Sequence, residues 1–314
     1  MLYDDDDDHR PALSRRLRTP GVITVAALVP ACLAGWLIWH AVGGPDDSVS
    51  AKNPAPAPTG GSTPGAAPTH TPTGTTGDDK PGRGEAAGHG PLAGKVVVID
   101  PGHNPNNYRH PTEINRRVNI GKGTTECDTT GTSTNNGYAE ARFTLDVSHR
   151  LRSLLEKQGA KVELTQNDDH SFGPCVTERA AAGNKAKADA AVSVHADGSS
   201  VGHRGFHVIL PALVKAGAAN TADIVAPSRD LGTRIAGTFV RDTGTAPSNY
   251  IDGGTGLDTR SDLGGLNLST VPKVFIECGN MRDPKDAALL TSASWRQKAA
   301  QGIADGISGF LHAE

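Results

Sequence analysis

The chain has 314 residues and a formal net charge of −3, so it lacks the basic excess that nucleic-acid binding requires. Aromatic residues make up only 4 %, while glycine (38) and proline (21) are abundant, which excludes a chain packed into core from end to end. The length accommodates one good-sized domain with extensions.

Residues 1–20 read as a cytoplasmic tail, with the acidic run Asp4–Asp8 followed by Arg10, Arg15, Arg16 and Arg18. Residues 21–43 read as a transmembrane signal anchor. Gly21–Trp39 contain no charged side chain, and at about 1.5 Å per residue that stretch spans roughly the 30 Å hydrocarbon core. Trp36 and Trp39 stand near its outer end, where amphipathic rings favour the interface. The arginines precede the span, so the expected location is a single pass through the cell membrane, N-terminus inside and the remainder outside. Two alternatives stay open. A cleaved signal would give a secreted protein, although its apolar core usually runs only about 7–15 residues. A lipid on Cys32 would use Val29–Cys32, although Pro30 is unusual there and the apolar run continues through Leu33, Leu37 and Ile38.

Residues 44–91 form a linker of Pro, Ala, Gly and Thr, with too few large apolar side chains to offset ordering entropy, so it is expected to be disordered. Extended, it reaches on the order of 100 Å. That reach suits a membrane-tethered enzyme acting on a layer some distance away, and equally a spacer of no matched length.

Residues 92–314 have the pattern of one globular domain. Lys95–Asp100 (KVVVID), Asp189–His195 (DAAVSVH) and Lys273–Glu277 (KVFIE) are apolar runs of the kind required in strands buried on both faces. Phe143, Val147, Leu151 and Leu154 recur at helical spacing, and Gly159 fits the stop. Val162 and Leu164 alternate with polar neighbours, and Phe206, Val208 and Leu210 are read the same way, as further strands. Ile303, Ile307 and Phe310 mark a C-terminal helix. Strands alternating with helices predict an α/β fold with a mostly parallel sheet.

Each of the three buried runs ends in chemistry. The first leads into Asp100–His103 (DPGH), the second into His195–Asp197 (HAD) and the third into Glu277–Asn280 (ECGN). In open α/β sheets, ligands gather outside the carboxyl ends of the strands. Glu140 adds a carboxylate at the start of the first helix, where the positive end of the helix suits it. Two histidines and one carboxylate with an open fourth position make a catalytic zinc site. These residues lie far apart in the chain, so spacing alone argues weakly. Taken singly, each histidine reads as a satisfied polar residue and Glu140 as a solvated helix start. Glu277 is harder to dismiss, because a carboxylate closing an apolar run is rarely left without a partner.

Residues 92–314 resemble the zinc-dependent N-acetylmuramoyl-L-alanine amidases of the amidase_3 type. The matching residues are Asp100-Pro101-Gly102-His103, Glu140 in Gly137–Glu140, Ser193–Asp197 (SVHAD), and Pro272 through Glu277-Cys278-Gly279-Asn280-Met281. The resemblance is strongest to mycobacterial and other actinobacterial members, which share the Cys-containing insert and the Gly-Asn-Met ending. It implies a central mixed sheet flanked by helices, Zn2+ held by His103, Glu140 and His195, and Glu277 as catalytic acid/base. It implies hydrolysis of the amide between N-acetylmuramic acid and the L-alanine of the stem peptide, with peptidoglycan or muropeptides as the partner. The catalytic domain is expected to be a monomer. Many members follow the first histidine with a Gly-rich stretch, whereas Asn104-Pro105-Asn106-Asn107 follows here, and a polar segment runs on to Tyr138.

Asp197 and Asn280 are expected to orient the metal ligands, and Arg260 and Asn267 either to contact substrate or to serve as ordinary loop residues. Cys127 and Cys175 are expected to pair, since an exported protein can keep a disulfide; two unpaired thiols are the alternative. A non-catalytic wall-binding protein on this scaffold would usually lack a ligand or the catalytic glutamate, and this chain keeps all four residues. Another metal-dependent hydrolase, such as a deacetylase, would need different motifs.

Overall fold

The three apolar runs become neighbouring parallel strands at the centre of one six-stranded sheet. In the computed structural model, which describes residues 89–313, the strands follow in chain order. They are β1 (Val96–Pro101), a hairpin of β2 (Arg117–Asn119) and β3 (Thr124–Glu126), β4 (Lys161–Leu164), β5 (Ala190–Asp197) and β6 (His207–Pro211). A two-residue hairpin, β7 (Lys215–Ala216) and β8 (Ala219–Asn220), then precedes β9 (Leu257–Arg260) and β10 (Lys273–Asn280). The large sheet has the order β4-β1-β5-β10-β6-β9. Only the β10–β6 pairing is antiparallel, so the sheet is mixed and mostly parallel, as expected. The anchor at 21–43 and nearly all of the linker lie outside the described residues. Among the described residues no helix is long and apolar enough to cross a membrane.

Alternation along the strands sorts their side chains between two faces. Val97, Ile99, Val192, Val194, Val274 and Ile276 point to the face that holds the main core. Helices α1 (Glu140–Lys157), α3 (Val225–Thr243) and α5 (Ala293–Leu311) cover it with Phe143, Val147, Leu151, Ile235, Phe239, Ile303 and Ile307, all buried. Truncating Phe143 to alanine there would cost about 3–5 kcal/mol. The first helix stops as expected, with Gly159 at φ 93° just past its end. Its last buried contact is made by Leu155, and Leu154 is only partly buried, because the fourth position of the stripe falls a residue later on the helical surface. The short helix α4 (Pro284–Leu290) is capped by Asp283, whose side chain accepts from the N–H groups of Lys285 and Asp286.

Two features differ from the sequence pattern. Strand β6 is buried on both faces, with His207 and Ile209 as enclosed as Val208 and Leu210, because the helical turn Gly264–Asn267 lies against it. Helix α3 was not expected, since Pro227, Gly232 and Gly237 punctuate its sequence.

The opposite face of the sheet receives Asp100, Ser193, His195, Phe275 and Glu277, which stand side by side in the register Asp100↔Ser193↔Phe275 and His195↔Glu277. Helix α2 (Val176–Ala186) packs on this side against β1. The polar insert after His103 folds into short helical turns at Asn107–Arg109 and Pro111–Ile114 and the β2–β3 hairpin. Just after the hairpin, the insert is tied to the start of α2 by a Cys127–Cys175 disulfide.

Candidate metal centre

His103 follows the end of β1 with φ 61°, a left-handed conformation uncommon outside glycine. Its Nδ1 lies 3.2 Å from the carbonyl and 3.1 Å from the hydroxyl of Thr129, and its Nε2 lies 3.2 Å from Glu140 Oε1. Glu140 opens α1 and is buried. Its Oε2 accepts from the Thr132 N–H at 2.9 Å, and its Oε1 accepts from the Ala196 N–H at 3.1 Å. That same Oε1 is 3.0 Å from His195 Nδ1. His195, near the end of β5, has Nε2 3.2 Å from Ser193 Oγ and its ring stacked on Phe275 at 5.3 Å. The two imidazoles meet edge to face with centroids 4.9 Å apart.

One donor atom from each of His103, Glu140 and His195 lies within 4.8 Å of the other two. Two glycines permit this convergence. A Cβ on Gly102 would sit 2.3 Å from the His195 ring, and one on Gly131 would sit 2.7 Å from both Glu140 Oε2 and the His103 ring.

Glu277 faces His195 across the β5–β10 pairing. Its Oε2 is buried and has no hydrogen-bond partner. Burial, reinforced by the nearby carboxylates of Glu140 and Asp197, pushes its carboxyl well above the ordinary range. Burial would also raise Glu140, but the His103 and His195 rings override it and hold that carboxyl well below the usual range. Burial opposes charge on His103, yet Glu140 and Asp128 push its pKa up to about 10. Two carboxylates of one site are thus driven in opposite directions, a pattern found at functional sites. A cavity of about 200 Å³ opens beside the histidines, walled by Thr125, Glu126, Leu263 and Phe275.

The remaining site candidates hold other positions. Asp197 accepts a 2.6 Å hydrogen bond from the Tyr250 hydroxyl and one from the Gly198 N–H. Asn280 is fully buried and clamps the following loop, accepting from the N–H groups of Ser199 and Arg282 and donating to the carbonyls of Ser200 and His203. None of these bonds reaches His103, Glu140 or His195. The Arg260 guanidinium forms a two-pronged pair with Asp262 at 2.9 and 2.7 Å. Asn267, almost completely buried, donates to the Ser261 carbonyl and so shapes the loop from within. Besides Glu140, the hydrogen-bonding neighbours of the two imidazoles are Thr129 and Ser193; the sequence reading gave neither a role, although Ser193 stood in the family motif. Ser193 had a signal, since it lies two residues before His195 and therefore on the same face of the strand.

Residues 97–309 match the Amidase_3 family, N-acetylmuramoyl-L-alanine amidase. The chain belongs to this family. It is 43 % identical over 225 residues to the N-acetylmuramoyl-L-alanine amidase Rv3717 of Mycobacterium tuberculosis, a match covering 70 % of this chain and 88 % of that protein. Its structure is similar to that of the amidase Ami1 from Mycobacterium smegmatis, with a TM-score of 0.65 and 40 % identity over 71 % of this chain and 99 % of the other. Ami1 from Mycobacterium abscessus matches with a TM-score of 0.64 and 39 % identity over 70 % and 100 % of the two chains. The chain is an N-acetylmuramoyl-L-alanine amidase, and the trio and Glu277 lie within the segment that carries the family match.

Proposed function

We propose that this amidase is zinc-dependent, that His103, Glu140 and His195 hold the ion, and that Glu277 is the catalytic acid/base. The observation that carries the proposal is the convergence of the three donor atoms within 4.8 Å beside a buried carboxyl oxygen with no partner. The donor set fits zinc, being two imidazoles and one carboxylate with room left for a further ligand. Zinc bound there supplies Lewis acidity to the scissile carbonyl and to water.

The chain's own residues do the rest. Glu277 takes a proton from the attacking water and returns it to the departing amine, a double role suited to a carboxyl raised by its surroundings. The bond broken joins the lactyl group of N-acetylmuramic acid to L-alanine, leaving a carboxylate on the sugar and a free amine on the peptide. The cavity beside the histidines takes the part of the substrate next to that bond. The apolar segment at 21–43 holds the enzyme in the cell membrane, and the linker at 44–91 carries the catalytic domain, as a monomer, outward to the peptidoglycan.

Glutamine substitutions separate the two roles. Glu140→Gln should lose zinc, because a neutral amide is a poor ligand for a dication. Glu277→Gln should keep about one zinc per chain and nearly the same melting temperature while losing turnover. Loss of zinc from Glu277→Gln, or full zinc occupancy in Glu140→Gln, would refute the assignment.

A further inference from the structure

We propose that Ser193 and Arg179 are positioning residues for the metal centre. Ser193 fixes which nitrogen of His195 faces the ligand pocket, and Arg179 locks the buried carboxylates behind both histidines. The inference rests on the metal-centre reading above and deepens it.

The argument starts at Asp100, which is 1 % exposed on β1. Its Oδ1 accepts from the Thr165 hydroxyl at 2.5 Å and from Arg179 Nη1 at 2.8 Å. Its Oδ2 lies 3.5 Å from Lys273 Nζ. Between two buried cations the carboxyl is an ionised, acceptor-only group. The Ser193 hydroxyl donates to that Oδ2 at 2.8 Å. The Asp100 backbone carbonyl, at 3.4 Å, is a weaker alternative acceptor, and in either case the hydroxyl proton points away from His195. A serine oxygen whose single proton is committed can only accept from its other neighbour. That neighbour is His195 Nε2, at 3.2 Å. Nε2 of His195 therefore keeps its proton, and Nδ1, 3.0 Å from Glu140, is the nitrogen left to take the ion. Without an ion the acceptor-only carboxylate of Glu140 holds a proton on Nδ1 as well, and the ion displaces that proton alone.

Arg179 extends the same control to His103. All five of its N–H donors are used. Nε donates to the Pro174 carbonyl, Nη1 to Asp100 and the Pro101 carbonyl, and Nη2 to the His103 carbonyl and Asp128, all at 2.7–2.9 Å. The bond to the His103 carbonyl holds the residue that has the left-handed backbone. Asp128 in turn accepts from the Thr129 N–H at 2.8 Å, and Thr129 supplies the carbonyl facing His103 Nδ1. One planar fork thus links the supports of both imidazoles. A lysine ammonium at 179 would keep the charge and lose the five-way geometry.

Partners behind metal-bound histidines typically change metal affinity 10–100-fold when removed. The test uses the full chain labelled with 15N, loaded with zinc for the spectra and stripped of it for the affinity measurement. Long-range proton–nitrogen spectra, with the His195 signal assigned by its absence in His195→Gln, report the tautomer directly. Zinc-loaded wild type should keep the His195 proton on Nε2 and leave Nδ1 to the ion. Ser193→Ala should lose that proton to exchange and bind zinc about 10–100-fold more weakly in competition with a chromophoric chelator, with a melting temperature close to wild type. Arg179→Lys should weaken zinc binding as well. If Arg179→Lys does not fold, Ser193→Ala alone decides. Absence of the Nε2 proton from His195 in zinc-loaded wild type, or Ser193→Ala retaining both that proton and zinc affinity within about twofold, would overturn the proposal. If the wild-type chain bound no zinc, the metal-centre reading would fail, and the Nε2 proton of His195 in the metal-free chain, held in wild type and lost to exchange in Ser193→Ala, would still judge the role of Ser193 separately.

Discussion

Removing the Cys127–Cys175 crosslink should weaken both the fold and the metal centre. The bond spans 48 residues, and closing a loop of that length lowers the entropy of the unfolded chain by the equivalent of about 4 kcal/mol. Measured losses generally fall below that ceiling, so Cys127→Ala/Cys175→Ala should lower the unfolding free energy by about 2–4 kcal/mol. Both sulfurs are buried, so packing is lost too. The damage should fall unevenly. Cys127 immediately precedes Asp128 and Thr129, the supports of His103, and Cys175 is the N-cap of α2, which carries Arg179. His195 sits on a central strand of the sheet and should be disturbed less. Urea unfolding followed by circular dichroism gives the first quantity, with a steeper denaturant dependence in the variant if the unfolded chain expands. Chelator competition gives the second, where about a tenfold loss of zinc affinity is expected. Unfolding within about 0.5 kcal/mol of wild type, together with unchanged zinc affinity, would refute the reasoning and show that hydrogen bonds alone hold the insert.

Three further outcomes follow from charge and sequence. In the metal-stripped protein His103 titrates near 10, against about 6.5 in an unfolded chain; the stabilisation from its ion pairing is complete below about pH 6.5 and is lost as pH rises towards 10. The melting temperature of stripped wild type should therefore fall more between pH 7 and 10 than that of His103→Gln, and equal slopes would contradict the assignment. Zinc must displace that proton, so its apparent affinity should rise over the same range in competition titrations. The full-length chain should sediment with membranes and retain Asp4–Asp8, whereas a mature N-terminus near Gly44 or a lipid on Cys32 would contradict the anchor.

The parts legible in the sequence are those specified by local pattern. Val97–Ile99, Ala190–Val192 and Val274–Ile276 are apolar without interruption because strands at the centre of the sheet are covered on both sides. The chemistry at their ends followed from where the strands stop. The insert was opaque for the opposite reason. Its conformation depends on Arg179, Asn107 and Asp128 pairing across long stretches of chain, and no periodicity encodes such contacts. Helix α3 was hidden by Gly232, whose missing side chain admits Leu210 and Val208 of the sheet. Asn280 looked like a partner for the metal ligands because it ends the motif, but a register shift between Glu277 and Asn280 separates it from the pairing that aligns Glu277 with His195.

Digestion of purified peptidoglycan, with mass spectrometry of the soluble fragments, tests the central claim most directly. The account predicts that wild type releases stem peptides with a free L-alanine amine and leaves lactyl carboxylates on an uncut glycan. Glu277→Gln should form the same products at least about 10²–10⁴-fold more slowly, the usual contribution of a positioned acid/base. Fragments cut between sugars or within the stem, deacetylated glycan with its stems intact, or undiminished release by Glu277→Gln would contradict it.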